Sequence, residues 1–465
     1  MVFASVSFLF LFLPITLAGC CLCPARFRNL FLLVMSIFFY AWGGLKWIPI
    51  LSLSVLLHGA AARAARRMEK QRNRNVILAA VVLLDVTMLV FFKCRPEKTD
   101  MPPGLSFFTF QALSYVIDVM RGEEPQENVA GLALYISFFP QLIAGPIIRY
   151  KEIREQLKER RLSLDGMSGG CIRLLGGLTK KVLFADRLAV MTKEIYSNTE
   201  ASALSPQLLW LAAAAYSLQL YFDFSGYSDM AVGLGAMLGF RFPENFRHPY
   251  RARTAGEFWK RWHITLSAWF RDYVYIPLGG GRGGVWSVVR NFFIVWTLTG
   301  LWHGAGLPFL LWGLCWGGLI LLERYLIRPE ERGDAFRFIY RVFLIFWIVF
   351  LWTVFHAGSE PGVWQSVPRM LPFAGWRMEA AQKNLLLLWL REQWFYLLVG
   401  TALSMDLPRR LRDVFIRKAG PGTTVSFRIG QAFSVAGLIA LTGGACLSVS
   451  LLLGGSYNPF LYFRF

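Results

Sequence analysis

The stretch Val295-Trp296-Thr297-Leu298-Thr299-Gly300-Leu301-Trp302-His303-Gly304-Ala305 lies near the end of the largely apolar run from Trp286 to Leu310. A run of that length and character reads as a helix in lipid. An ionisable ring inside it is costly to bury and therefore marks a functional site. A neutral imidazole can take a proton from a hydroxyl and then return it, the role of a general base. His303 is thus the first candidate residue. The plainer alternative is a packing histidine bonded to a carbonyl on the next helix. Gly300, Gly304 and Gly306 are expected to let another backbone or a substrate come close.

Forty residues upstream stands His263, in Phe258-Trp259-Lys260-Arg261-Trp262-His263-Ile264. Trp259, Trp262, His263, Leu266, Trp269 and Phe270 recur at helical spacing, with Lys260, Arg261 and Arg271 off that face. A basic, tryptophan-rich amphipathic helix beside a span lies in the membrane interface. The spacing predicts one helix over 257–271 with His263 on its apolar face, either catalytic or bonded to a neighbour.

The whole chain fits that setting. Its 465 residues are 55% hydrophobic and 16% aromatic, with a formal charge of +20. Mean hydropathy is +0.44. Such a composition, in long apolar runs with basic breaks, means a polytopic membrane protein. The cations sit in short clusters between apolar runs, which argues against nucleic acid as a partner. The seven cysteines form no paired framework, so neither a disulfide scaffold nor a metal site is expected. Leu17-Ala18-Gly19-Cys20 resembles a lipoprotein processing site. No Lys or Arg precedes it, and an uncleaved first span is the better reading.

Apolar spans are expected near 2–22, 29–43, 46–62, 76–92, 104–120, 166–190, 208–238, 287–303, 308–326, 337–356, 385–406 and 428–455. Leu132 to Ile148 is a further apolar stretch, broken by Pro140, Gly145 and Pro146, and reads as re-entrant. Basic clusters lie at 63–74, 149–161, 241–261 and 409–418. With these spans all four fall on one side, which is then cytoplasmic, and both termini face outward. No internal repeat of the transporter kind and no long linker is present, so 1–465 is expected to be a single membrane-embedded domain.

Asp223 and Asp229 lie inside an apolar span, six positions apart. They do not share a helical face and are expected to pair with cations on neighbouring helices. Arg251, Arg253, Lys260 and Arg261 are candidates for holding the phosphates of an anionic donor. Gly279 to Gly284 could bring backbone N–H groups to phosphates, although topology and headgroup contact are the better reading for most of these cations.

Several ordered motifs carry a family resemblance. They are Leu105-Ser106-Phe107-Phe108-Thr109-Phe110-Gln111, Phe138-Phe139-Pro140-Gln141-Leu142-Ile143-Ala144-Gly145-Pro146 and Pro243-Glu244-Asn245-Phe246. The most specific are Phe258-Trp259-Lys260-Arg261-Trp262-His263, Trp269-Phe270-Arg271-Asp272-Tyr273 and Gly300-Leu301-Trp302-His303-Gly304. Asn458-Pro459-Phe460-Leu461-Tyr462 closes the series. The chain resembles the membrane-bound O-acyltransferases (MBOAT), in the AlgI-like bacterial branch that serves alginate O-acetylation. It departs from that pattern at His58-Gly59 and at Gly306-Leu307-Pro308.

The resemblance implies an all-α fold of 11–12 transmembrane helices ringed around a central funnel, with re-entrant and interfacial helices. It implies catalysis by His303 and His263, with Trp302 and Trp262 beside them on the substrate path. It also implies an acyl group taken from a cytoplasmic thioester, with no bound cofactor, and passed toward an extracytoplasmic acceptor. The expected activity is O-acetyl transfer from acetyl-CoA to a cell-surface or exported glycan. A periplasmic or membrane-anchored acetyltransferase would complete the transfer, and the chain would reside in the bacterial inner membrane. The alternatives are D-alanyl transfer to teichoic acid from a carrier protein (DltB-like), and a transporter without covalent chemistry.

Overall fold

The computed structural model describes residues 2–94, 101–197, 204–371 and 377–455. The Asn458 to Tyr462 motif lies outside these residues. Secondary structure among the described residues is helical throughout. Helices coincide with all twelve expected spans. Five of them, Leu45–Arg67, Gln71–Lys93, Leu307–Glu331, Asp334–Ser359 and Thr424–Leu453, are by length and composition able to cross a membrane. Together with the shorter apolar helices Phe8–Leu22 and Leu105–Met120, this is the pattern of a polytopic membrane protein.

The centre is the 32-residue helix Pro206–Met237, buried on nearly every side. A helix apolar all round belongs inside a bundle. Its closest neighbour is Leu164–Thr179. Gly226 faces Gly177, and Gly233 faces Gly170. A Cβ on any of the four would come within 2.7 Å of the opposing carbonyl oxygen. Small residues at such a crossing let two helices pack backbone to backbone.

The two intramembrane aspartates find their cations on that neighbour and on the helical segment Lys180–Ala185 that continues it. Asp229 pairs with Lys180 at 2.5 Å and Arg173 at 2.9 Å. Asp223 shares the buried Lys181 with Asp186, each at 2.7 Å. They act as ties between helices, as expected of paired charges in an apolar layer. A further buried tie joins His58 on Ile48–Arg67 to Asp85 on Gln71–Lys93, Nε2 to Oδ2 at 3.0 Å.

The expected re-entrant stretch is two short buried helices, Val129–Ser137 and Phe139–Leu142, followed by irregular chain. Broken backbone is tolerated there because side chains serve it. Gln141 donates to the Tyr135 carbonyl at 2.6 Å, and the Tyr135 hydroxyl donates to the Ile148 carbonyl at 2.9 Å.

The four basic clusters form one connected band. The turn at 123–127 meets the first cluster through Arg66–Glu124 (2.7 Å) and the second through Arg154–Glu123 (2.9 Å). The second reaches the third where the Gln156 amide accepts from the Arg241 N–H at 2.7 Å. Arg149 and Lys151 also reach Asp272. The third reaches the fourth through Arg251–Asp406 at 2.8 Å. The clusters therefore share one end of the molecule.

Candidate active site

Two elements carry the histidines. His303 ends the helix Val285–His303, where Gly304 breaks it. His263 does not lie within a helix. The expected helix over 257–271 is instead Ala255–Trp259, a turn, and then Ile264–Phe270. His263 sits at the break in left-handed backbone, φ 42° and ψ 55°. That conformation costs a non-glycine residue about 1–3 kcal/mol and persists only where the surroundings over-determine it.

The surroundings do so here. The Ile264 N–H donates to the Asn245 carbonyl at 3.0 Å, and the Arg247 N–H to the Arg261 carbonyl at 2.9 Å. Glu323 accepts from the N–H groups of Ala255 and Gly256 and from the Tyr340 hydroxyl, fixing the start of the first short helix. The five aromatic and apolar residues that motivated a single helix are all buried, as is His263. Their shared face is real, although two helices rather than one present it.

The histidines meet. Both line one small cavity of about 20 Å³, with Trp262, Trp312, Trp352, Phe224 and Phe355 among its walls. That volume holds about one water molecule. Leu266 lies on its wall and belongs to one of the two hydrophobic clusters, whereas Trp262, Trp312 and Trp352 belong to the other. The site is a seam between two cores. The His303 ring stands edge-on to Phe355 at 4.9 Å and to Trp312 at 5.2 Å. The His263 ring stands edge-on to Phe224 at 4.7 Å. His303 Nδ1 and His263 Nε2 have no hydrogen-bond partner within the described residues. A buried ring nitrogen without a partner is costly unless something else occupies that position during function.

The remaining expected site residues divide. Trp262 is on the cavity wall. Trp302 packs behind it, stacked on Phe110 at 5.4 Å, with its ring 6.4 Å from that of His263. Gly300 and Gly304 seat the next helix rather than a substrate. Their Cβ positions abut Phe309, carbonyl oxygen for the first and ring for the second. The four expected donor-binding cations are not brought together. Arg251 is held by Asp406, and Arg261 by Glu257 at 2.7 Å. Only Lys260 lines the neighbouring cleft of about 500 Å³, where the second cation is Arg271. That cleft shares Trp259 and Leu266 with the histidine cavity. Arg253 is exposed at the start of the first short helix.

The glycine-rich segment is partly tied to the chain that precedes it. The N–H groups of Gly279, Gly280 and Arg282 donate to the carbonyls of Ile276, Tyr275 and Gly279. The Asn291 amide donates to the carbonyls of Leu278 at 3.2 Å and Gly280 at 3.0 Å.

Two residues beside the site escaped sequence reasoning. Asn245 accepts from His263 Nδ1 at 3.0 Å. Its only signal was a polar residue in the Pro243-Glu244-Asn245-Phe246 motif. Lys93 donates to the carbonyl of Trp302. Its signal was a cation closing an apolar span.

A buried imidazole pair at the seam of a membrane bundle suits proton transfer in an acyl exchange. The profile of the membrane-bound O-acyltransferase family matches residues 128–360, which hold both histidines. The chain belongs to the MBOAT family. It is similar to the probable alginate O-acetylase AlgI of Azotobacter vinelandii, 35% identical over the full length of both chains. It is 40% identical to the probable alginate O-acetylase AlgI of Pseudomonas fluorescens, over 81% of this chain and 77% of that one. It is 33% identical to the peptidoglycan O-acetyltransferase of Helicobacter pylori, over 70% of each. As an MBOAT the chain is a multi-pass membrane O-acyltransferase, and it takes an acyl donor and an acyl acceptor.

Proposed function

We propose that this MBOAT moves an acetyl group from cytoplasmic acetyl-CoA toward an extracytoplasmic polysaccharide, in a bacterial inner membrane. The glycan is alginate or a comparable cell-surface polymer, and a periplasmic or membrane-anchored acetyltransferase makes the final transfer. The observation that carries the reading is the shared cavity of His263 and His303, each with an unpartnered ring nitrogen. The likeness to bacterial enzymes named as O-acetylases supports the acetyl group.

In this reading a ring nitrogen of His303 takes the proton from the attacking hydroxyl. The freed oxygen adds to the thioester carbonyl, and the tetrahedral adduct collapses with loss of the C–S bond. The proton then returns from the imidazolium to the leaving thiolate, so atoms and charge balance. General-base assistance of this kind is worth roughly 10²–10⁴ in rate. Aromatic walls exclude bulk water and so protect the thioester from hydrolysis. Lys260 and Arg271 line the adjoining cleft, where a phosphate-bearing donor would find its cations.

The test is transfer by the purified full chain in lipid nanodiscs. Radiolabelled acetyl-CoA is supplied with a soluble oligosaccharide, with and without candidate periplasmic partners. Acetyl ester on the sugar or on the partner is the expected result. Labelled ester formed only from a D-alanyl carrier protein would replace the acetyl reading. Labelled sugar moved across a sealed vesicle with no ester formed would end it.

A further inference from the structure

Asn245 makes more contacts at the site than any role as a loop residue requires. Its side-chain oxygen faces three donors: His263 Nδ1 at 3.0 Å, the Thr265 hydroxyl at 2.9 Å and the Thr265 N–H at 3.3 Å. Its side-chain nitrogen lies 3.1 Å from the Ser228 hydroxyl and 3.4 Å from the Gly145 carbonyl.

The two ends of that amide cannot be exchanged. The Thr265 N–H can only donate, and the Gly145 carbonyl can only accept. Turning the amide over would set N–H against N–H and carbonyl against carbonyl. The Thr265 hydroxyl adds a third constraint. It accepts from the Ile147 N–H at 2.9 Å, which leaves its own hydrogen for Asn245. Oδ1 is therefore an acceptor toward every neighbour, and His263 Nδ1 must carry a proton to meet it.

A neutral imidazole has one N–H and one lone pair, and the bond made at one nitrogen decides the other. We propose that Asn245 is a positioning residue that holds His263 with its proton on Nδ1 and its lone pair on Nε2. The cavity then sees a proton acceptor at His263 and no hydrogen-bond donor. A proton that reaches Nε2 makes the imidazolium, with Nδ1–H still given to Asn245. It leaves from the same nitrogen, and the ring never rotates. Such a ring can relay a proton, whereas a hydrogen bond to the donor's carbonyl would need an N–H on Nε2.

The left-handed backbone at His263 serves the same end. It accompanies the ring's bond to Asn245, in a 245–247 segment to which the flanking backbone is already bonded at two points. Ser228 and Gly145 hold the amide from two further elements, so the support reaches from the central helix to the re-entrant stretch.

The role in turnover rests on the acyl-transfer reading, whereas the tautomer does not. The test is therefore magnetic resonance on the full chain in nanodiscs, with histidine ring nitrogens labelled with ¹⁵N. The His263 signals are identified by their loss in H263Q. The expected wild-type spectrum has His263 protonated at Nδ1. N245L removes the acceptor and should shift the proton wholly or partly to Nε2. It should lower kcat by ~10- to 100-fold, with donor KM changed less than about twofold. N245D keeps an acceptor, and should retain the Nδ1–H signal and most of the lost rate.

A wild-type ring protonated at Nε2, or an N245L spectrum identical to wild type, would overturn the proposal. N245D allows the comparison if N245L fails to fold, because loss of its Nδ1–H signal in a folded chain would overturn it equally. A wild-type ring protonated at Nδ1 in a chain that transfers no acyl group would uphold the positioning and sink the reaction instead.

Discussion

The ammonium group of Lys93 donates to the main-chain carbonyl of Trp302, the residue immediately before His303. It also lies over the Trp302 ring, 5.3 Å from its centroid. One cation thus holds the last turn of the helix that presents the candidate base. A charge at a helix C-terminus is favourable for the same reason that the last carbonyls lack partners.

Replacing that cation should loosen the His303 end. K93M leaves the carbonyl of Trp302 without its charged donor, at a cost of about 1.5–3 kcal/mol. We expect a lowered thermal midpoint in detergent and a reduced kcat, with expression retained. Unchanged melting and turnover would show that the contact holds nothing.

His303→Ala should abolish ester formation, a loss of at least about 10²-fold, at normal membrane expression. His263→Ala should impair transfer less completely. Glycan ester content in cells, measured beside membrane abundance, checks both. Wild-type ester levels in either variant would remove that histidine from the mechanism.

The proposed donor site is the cleft lined by Lys260 and Arg271. K260A combined with R271A should raise the donor KM more than it lowers kcat, the mark of lost ground-state binding. R251A combined with R261A breaks two ion pairs and should act on stability while sparing donor KM. Steady-state kinetics with acetyl-CoA on both variants separates the outcomes, and equal KM values in all three proteins would contradict the cleft assignment.

Asp272 pairs with Arg149 and Lys151 of the second basic cluster and with Arg271. Burial works to raise its pKa. The hydrogen bond and charge of Arg271, with Arg149 and Lys151, outweigh that and hold the carboxyl below its ordinary value. Its contribution to stability is therefore present above the unfolded pKa, about 3.9, and is lost as pH falls through the lower folded value. D272N should melt earlier than wild type at neutral pH, and the gap should close as pH drops below about 4. A gap that stays constant down to pH 2 would show that charge is not the cause.

The basic band should face the cytoplasm. A cysteine at exposed Arg67 should resist an impermeant thiol reagent in intact cells, while one at exposed Gln365 should react. The reverse labelling pattern would move the acyl donor to the opposite face.

The spans were legible because lipid sets a minimum length for an apolar helix, and composition records it. The pairing of Asp223 and Asp229 with cations was legible for a related reason, since a bare charge is intolerable there. The burial of His303 could be read from its setting alone. The backbone at His263 could not. Apolar spacing over 257–271 is kept by two short helices as well as by one, and nothing local announces a left-handed residue. The ion pair of Arg251 was not legible because its partner is remote in sequence. Arg251 meets Asp406 across 155 positions. Lys93 was overlooked for the same reason, its acceptor lying 209 positions away. Asn245 carries no charge and no periodicity, so only its neighbours reveal it.

Lys181, buried between Asp186 and Asp223, bears on how the protein is made. A solitary lysine at the middle of a bilayer helix costs about 2.5–3.5 kcal/mol on insertion scales. Asp186 follows five residues later, and can offset part of that as the segment leaves the ribosome. Asp223 arrives only with the next helix. The earlier segment therefore gains its full neutralisation when the later one is synthesised, and the pair is driven to enter lipid together. Exchanging Asp223 for a neutral residue would then be felt first during biogenesis, as delayed insertion and proteolysis of the nascent chain, before any effect on turnover could be measured.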